Sequence, residues 1–168
     1  MPNYLELFEL YNKDLHGALR QLKDDEFFRS PGGSANSAAV IVQHLAGNFA
    51  SRFTDFLTSD GEKPWREREA EFQKPSGGRQ EVMAAYEGAW SILHQAVASL
   101  APQDLQATVH IRGKPWLVDE ALLRSVAHFA GHVGQLILIG KLFRGADWEY
   151  LSIPPGGTQA YNERPDRR

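Results

Sequence analysis

Apolar residues recur at helical intervals in four long stretches of this chain. Leu5, Phe8, Leu15, Leu19 and Leu22 line one face, which predicts a first helix over residues 4–28. Ser30-Pro31-Gly32-Gly33-Ser34 ends it, since proline lacks an amide hydrogen and glycine loses the most backbone freedom in a helix. A second helix is predicted over 37–57, with Leu45, Phe49, Phe53 and Phe56 as its stripe and Asn36 as its N-cap. The third, 79–100, presents Val82, Tyr86, Trp90, Leu93 and Val97 and stops before Ala101-Pro102. The fourth, 119–143, is the most apolar stretch of the chain.

The intervening segments follow other rules. Residues 58–78 form a polar connection, longer than is usual inside a domain, and long connections are often functional. Residues 108–118 alternate weakly and turn at Gly113, which predicts a short hairpin before the last helix. Residues 145–168 are rich in proline, glycine and charge, and predict an irregular tail. The expected fold is therefore all-α: a four-helix bundle with long connections over residues 1–144. The tail, 145–168, is expected to pack on the bundle or on a dimer partner through Trp148, Tyr150, Leu151 and Ile153.

Composition narrows the class. With 168 residues, 42% hydrophobic and 23% charged, the chain suits one soluble domain with a substantial core. Its net charge of −3 gives no sign of a nucleic-acid binder. The absence of cysteine removes disulfides, thiolate ligands and a cysteine nucleophile. The N-terminus lacks the basic start and apolar run of a signal peptide. His128, His132, Gln135 and Lys141 interrupt the apolar run of the last helix, which argues against a membrane span. A soluble, cytoplasmic protein is expected.

The candidate chemistry lies on the core helices. His128 and His132 are four residues apart, so both imidazoles leave one face of the fourth helix, one above the other. His44 lies on the second helix. Three imidazoles would fill three positions of a metal ion and leave room for water or substrate, as catalytic sites do. The bland reading of each is a hydrogen-bonded core histidine. Asn48, Arg52 and Asp55 continue a polar stripe from His44, and Gln135 follows His132 by three. Asn48 and Gln135 are candidates to orient the histidines or contact substrate; Arg52 and Asp55 suit equally an ion pair on the solvent face. Gly47, Gly131 and Gly134 flank the set and leave room for a ligand or a close helix.

Other chemistry is absent or weaker. His128-Phe-Ala-Gly-His132 lacks the glutamate of the zinc-protease motif, and there is no nucleophile elbow, phosphate loop or dinucleotide fingerprint. His16, His94 and His110 read as structural or exposed, with His16 a weak fourth ligand. Arg66 and Arg68, alternating with Glu67, Glu69 and Glu71, read as a solvated face.

His44, followed some 80 residues later by His128-x-x-x-His132, resembles the DinB-like superfamily (the DinB/YfiT-like metalloenzymes). Gly47-Asn48-Phe-Ala-Ser-Arg52, Asp60-Gly-Glu-Lys63-Pro, His132-Val-Gly-Gln135 and Leu-Ser-Ile-Pro-Pro-Gly-Gly are similar to one uncharacterised branch of it. The resemblance implies a four-helix bundle, often dimeric, with a divalent metal on three histidines: here His44, His128 and His132. Zinc or nickel is the expected ion, with iron a third choice. Relatives that use a low-molecular-weight thiol imply metal-dependent S-transfer on a small molecule; no role carries over from them to Asn48, Arg52 or Gln135, which their positions beside the histidines make candidates to orient the substrate. A metal-dependent hydrolase and a non-catalytic dimeric binding module are the alternatives.

Overall fold

In the computed structural model, which describes residues 3–164, the first apolar stretch divides in two. Helix α1 spans Tyr4–Leu19 and α2 spans Asp24–Phe28. The predicted continuous helix is corrected here, and the cause is distant in sequence. Arg79 donates from Nη2 to the Leu19 carbonyl at 2.6 Å and from Nη1 to the Leu22 carbonyl at 2.8 Å. Those carbonyls would otherwise need the next helical turn. Asp24, Asp25 and Glu26 then start α2 with negative charge at its positive end.

Helix α3 spans Ala38–Phe53. Its N-cap is Ser37 rather than Asn36: the Ser37 hydroxyl accepts from the Val40 amide at 3.3 Å. It ends before the predicted Leu57, because Thr54 is extended and Asp55 takes φ +49°. Thirteen of its sixteen residues are buried, so α3 is the central helix. Helix α4, Arg79–Ala98, packs most extensively against α3. Strands β1, Thr108–Ile111, and β2, Lys114–Leu117, form the predicted hairpin. Its two-residue turn, Arg112-Gly113, has φ of +56° and +71°, the conformation that matches strand twist. Helix α5 spans Val118–Arg144 and packs mainly on α1.

The described residues are thus mostly helical, with one small antiparallel sheet among them. Phe8, Phe49, Phe53, Tyr86 and Phe129, each at most 2% exposed, meet in the core from α1, α3, α4 and α5. Each such side chain contributes about 1.5–3 kcal/mol relative to exposure. The helical segment from Val118 to Asp147 is long and apolar enough to cross a membrane by length and composition. One of its faces nonetheless packs into the core through Val126, Phe129, Val133, Leu136 and Ile139.

The predicted irregular tail is largely irregular over its described part, with a short 3-10 turn, Gly145–Asp147, and a short helix α6, Thr158–Asn162; its residues 165–168 lie outside the described residues, as do residues 1 and 2 of the predicted bundle. Trp148 lies against Gly140, where a Cβ would overlap the indole ring. Gln21 and Glu149 exchange hydrogen bonds: Gln21 Nε2 donates to the Glu149 carbonyl at 3.0 Å, and the Glu149 amide donates to Gln21 Oε1 at 2.8 Å. Of the other predicted contacts, Leu151 packs on Gly17, whereas Tyr150 and Ile153 are exposed.

Candidate metal centre

Helix α3 carries two interleaved stripes at four-residue spacing. Leu45, Phe49 and Phe53 enter the apolar core, while His44, Asn48 and Arg52 form the adjoining polar stripe and are also buried. Helix α5 repeats the device with Arg124, His128 and His132, beside the core residues Phe129 and Val133. The two polar stripes meet at the histidines.

His44 Nε2 and His132 Nε2 each lie 3.2 Å from His128 Nε2. The metal-ligating atoms of all three fall within 4.8 Å of one another. Their other nitrogens fix the tautomers. Glu71 Oε2 is 2.8 Å from His44 Nδ1, and an ionised carboxylate only accepts, so Nδ1 carries the hydrogen. His132 Nδ1 donates to Gln135 Oε1 at 2.9 Å. With the hydrogen on Nδ1, the neutral form of each ring turns a bare Nε2 lone pair toward His128 Nε2. That nitrogen has one hydrogen at most to share between two acceptors. A cation satisfies all three at once, and nitrogens near 3.2 Å apart suit an ion bound at about 2.0–2.1 Å from each.

Burial keeps the His128 and His132 rings ready to ligate. Burial, then His132 and His44, push the His128 imidazole down to about 3. Burial likewise holds His132 below the usual range, with its bond to Gln135 opposing the shift. Burial would raise the Glu71 carboxyl, but hydrogen bonds from Arg66 and His44 outweigh it and hold it below the usual range.

Glu71 and Arg66, read from sequence as part of a solvated face, require correction. Glu71 is 7% exposed, and the Arg66 side chain only 2%. They pair in a two-pronged fork, Nε to Oε1 at 2.7 Å and Nη2 to Oε2 at 2.8 Å. The connection between α3 and α4 brings them there through a short 3-10 turn, Ala70–Phe72. Gln43, beside His44, donates through Nε2 to the Glu71 carbonyl at 3.0 Å. Phe72 packs on the His44 ring at 4.7 Å between centroids. At Gly47 a Cβ would overlap the Glu71 carboxylate, so glycine there makes room for a fourth group of the centre. Gly131 and Gly134, by contrast, have open space where a Cβ would stand.

The remaining predicted residues are placed as follows. Asn48 is buried between His44 and Arg52 on the same stripe. Gln135 is exposed and reaches His132. Arg52 is buried rather than solvent-facing, and its acidic neighbour is Glu62 at 3.7 Å, not Asp55. Burial, then Arg124, push the Arg52 guanidinium down to about 10. His16 pairs with Glu87 and His94 with Glu9, both at the surface, and His110 is exposed. Sequence reasoning missed Glu71, Arg66 and Arg124. The last was readable, since it stands four residues before His128 on the same helix face.

Residues 2–157 match the family model described as "Protein of unknown function (DUF1572)". No curated protein and no solved structure matches the chain.

Proposed function

The chain belongs to the DUF1572 family, and from its converging histidines we propose that it is a metal-dependent enzyme acting on a small molecule. His44, His128 and His132 would hold a divalent ion, zinc or nickel before iron, since imidazole suits each. The observation that carries this reading is His128 Nε2 standing 3.2 Å from both His44 Nε2 and His132 Nε2, with the Nδ1 atoms of those two rings committed to Glu71 and Gln135. Bound there, such an ion would supply Lewis acidity, lowering the pKa of a thiol or water ligand.

The chain's own residues do the rest. Glu71 holds the Nδ1 proton of His44 and fixes the ring, with Arg66 anchoring Glu71 in turn. Gln135 does the same for His132. Asn48 and Arg52 line the buried side, where they would orient substrate. Three protein ligands leave a coordination position open, which suits catalysis better than a closed structural site. The resemblance of the histidine pattern to the DinB-like superfamily supports the four-helix bundle arrangement and S-transfer with a low-molecular-weight thiol.

A homodimer is part of the same proposal. Leu123, Ala127, Gly131, Gly134, Leu138 and Leu142 are all exposed and occupy about 100° of α5. Leu123, Leu138 and Leu142 are each more than half exposed, and the small residues between them would let a second helix approach. Light scattering is expected to give twice the chain mass, and Leu138→Asp to halve it.

The enzyme reading is tested on protein without a histidine tag, reconstituted with zinc or nickel. One ion per chain is expected, lost in His128→Ala, together with activity in a thiol-conjugation panel. Absence of bound metal in the parent, or conjugation unchanged in His128→Ala, would refute it.

A further inference from the structure

Beside the histidines, five arginines converge on one small cavity. Arg52, Arg66, Arg68, Arg112 and Arg124 line a space of about 200 Å³ whose wall also includes His44 and His128. They come from four places: Arg52 from α3, Arg66 and Arg68 from the connection after it, Arg112 from the hairpin turn, and Arg124 from α5. The two helix stripes run in opposite chain directions. His44 faces His128, and the Arg52 end of one stripe lies toward the Arg124 end of the other. Arg124 stands one helical turn, about 6 Å along the axis, from His128.

The acids nearby do not neutralise this group. Glu71 is committed to Arg66 and His44. Glu62 is shared among Arg112, Arg52 and Arg66 at 3.2–3.7 Å. Glu69 meets Arg68 only at the surface, with its side chain 90% exposed. Arg124 has no carboxylate partner among the described residues and sits over the Trp116 ring. With Asp60 added, which attracts Arg52 while its oxygens take the amides of Glu62, Arg112 and Gly113, four acids among the described residues face five guanidinium groups, and Arg124 is the one left without an acid. Arg52 is the sharper case. Its side chain is 7% exposed, its nearest acid among the described residues stands at 3.7 Å, and its buried Nη1, packed by Gly61, has no hydrogen-bond partner among them.

Holding like charges together around a cavity, with Arg52 and Arg66 buried, costs free energy, which an anion returns. Guanidinium forks match the oxygens of carboxylate, phosphate or sulfonate. A space of 200 Å³ is smaller than the roughly 300–1,000 Å³ of pockets that hold whole drug-sized ligands. It suits one anionic group, with the remainder of the molecule outside. The arginines are also gathered around a cavity with buried members, not strung along a face, which favours a small molecule over a nucleic-acid backbone. We infer that this cavity binds the oxyanion group of the substrate and presents the substrate's neighbouring atoms to the three-histidine centre. The inference rests on the reading of that centre as an enzyme site.

The test is calorimetric titration of the full chain, zinc-loaded and chelator-treated, with inorganic phosphate and with succinate in a buffer of low ionic strength. Saturable binding of one equivalent is expected, weakening as neutral salt is added. Arg124→Ala and Arg112→Ala, both at exposed positions, should each weaken it about tenfold or more, since each removes a charged hydrogen-bond donor. Melting temperature and zinc content should stay at parental values, and Arg20→Ala, on the far side at Glu149, should bind as the parent does. Failure of both anions to bind either form, or parental binding in both Arg124→Ala and Arg112→Ala, would overturn the inference. Tighter binding of a single-stranded oligonucleotide than of phosphate, sensitive to Arg124→Ala, would overturn it too. Anion binding with no zinc uptake would leave the cavity standing and remove the metal reading; zinc uptake without anion binding would do the reverse.

Discussion

Glu71→Gln separates the metal centre from a mere cluster of core histidines. The substitution keeps the volume and one acceptor oxygen but removes the charge that holds both His44 Nδ1 and the Arg66 fork. Loss of a group that orients a ligating histidine weakens metal binding by about 10–100-fold. The metal-free protein should suffer as well. Removing one partner of a buried ion pair costs about 3–5 kcal/mol. Glu62 remains 3.6 Å from Arg66 Nη1, so the low end, about 3 kcal/mol, applies. With a urea dependence of about 2 kcal/mol per molar, the unfolding midpoint should fall by about 1.5 M.

Zinc affinity is read by competition with a chromophoric chelator, and stability by circular dichroism in urea. Gly47→Ala approaches the same carboxylate from the other side. By helix propensity alone it would stabilise by about 0.8–1.0 kcal/mol. Because its Cβ would overlap Glu71, it should instead destabilise the protein and weaken zinc binding. A Glu71→Gln protein that folds and retains the parent's zinc affinity would refute the role given to Glu71, and a stabilised Gly47→Ala would refute the packing beneath it.

Other outcomes follow from the same geometry. The metal-free protein should lose stability from about pH 6.5 downward, measured as urea midpoints between pH 8 and 4. The sign follows from His128: its folded value of about 3 lies below the ordinary 6.5, so the unfolded chain takes up the proton first. Glu71 adds to this below about pH 4.5, where its own depressed folded value means protonation again favours unfolding. A flat profile between pH 7 and 5 would contradict the buried neutral imidazoles. Gln135→Leu should weaken zinc binding by about tenfold, the low end of such effects, because its exposed site lets water replace the lost acceptor. Gly140→Val should displace Trp148, cost about 1–3 kcal/mol, and shift tryptophan emission to the red as the indole is wetted.

The helices and the three converging histidines were legible because both depend on local spacing. The pattern of α5 gives its face and its histidine pair from one periodicity, and His44 shares that logic on α3. What the sequence hid is set by distant partners. The continuous first helix was misread because Leu22 keeps the apolar spacing, while the break comes from Arg79, nearly sixty residues on. Arg66 and Glu71 have the composition of a solvated loop. Their burial depends on His44 and Gly47, which no window around residue 70 contains.

The run after α3 shows how such a loop becomes specific. Asp60 accepts from the amides of Glu62 at 2.7 Å, Arg112 at 2.9 Å and Gly113 at 2.7 Å, which ties the hairpin turn to the connection. Burial would raise this carboxyl, but those amides outweigh it and hold it below the usual range. Ser51 donates to the Gly61 carbonyl at 2.8 Å, and Gly61 lies against the Arg52 guanidinium. The Gly-Asn-x-x-Ser-Arg and Asp-Gly-Glu-Lys runs are therefore two halves of one clamp. It fixes buried Arg52 and the surface Arg112 around Glu62, as Glu71 fixes His44. At the buried positions of Arg52 and Arg66, an arrangement serving only stability would more simply place apolar side chains, since buried ion pairs are often no more stabilising than apolar residues of similar volume. Retaining cations where leucines would pack is best explained by an anion that has to be held there.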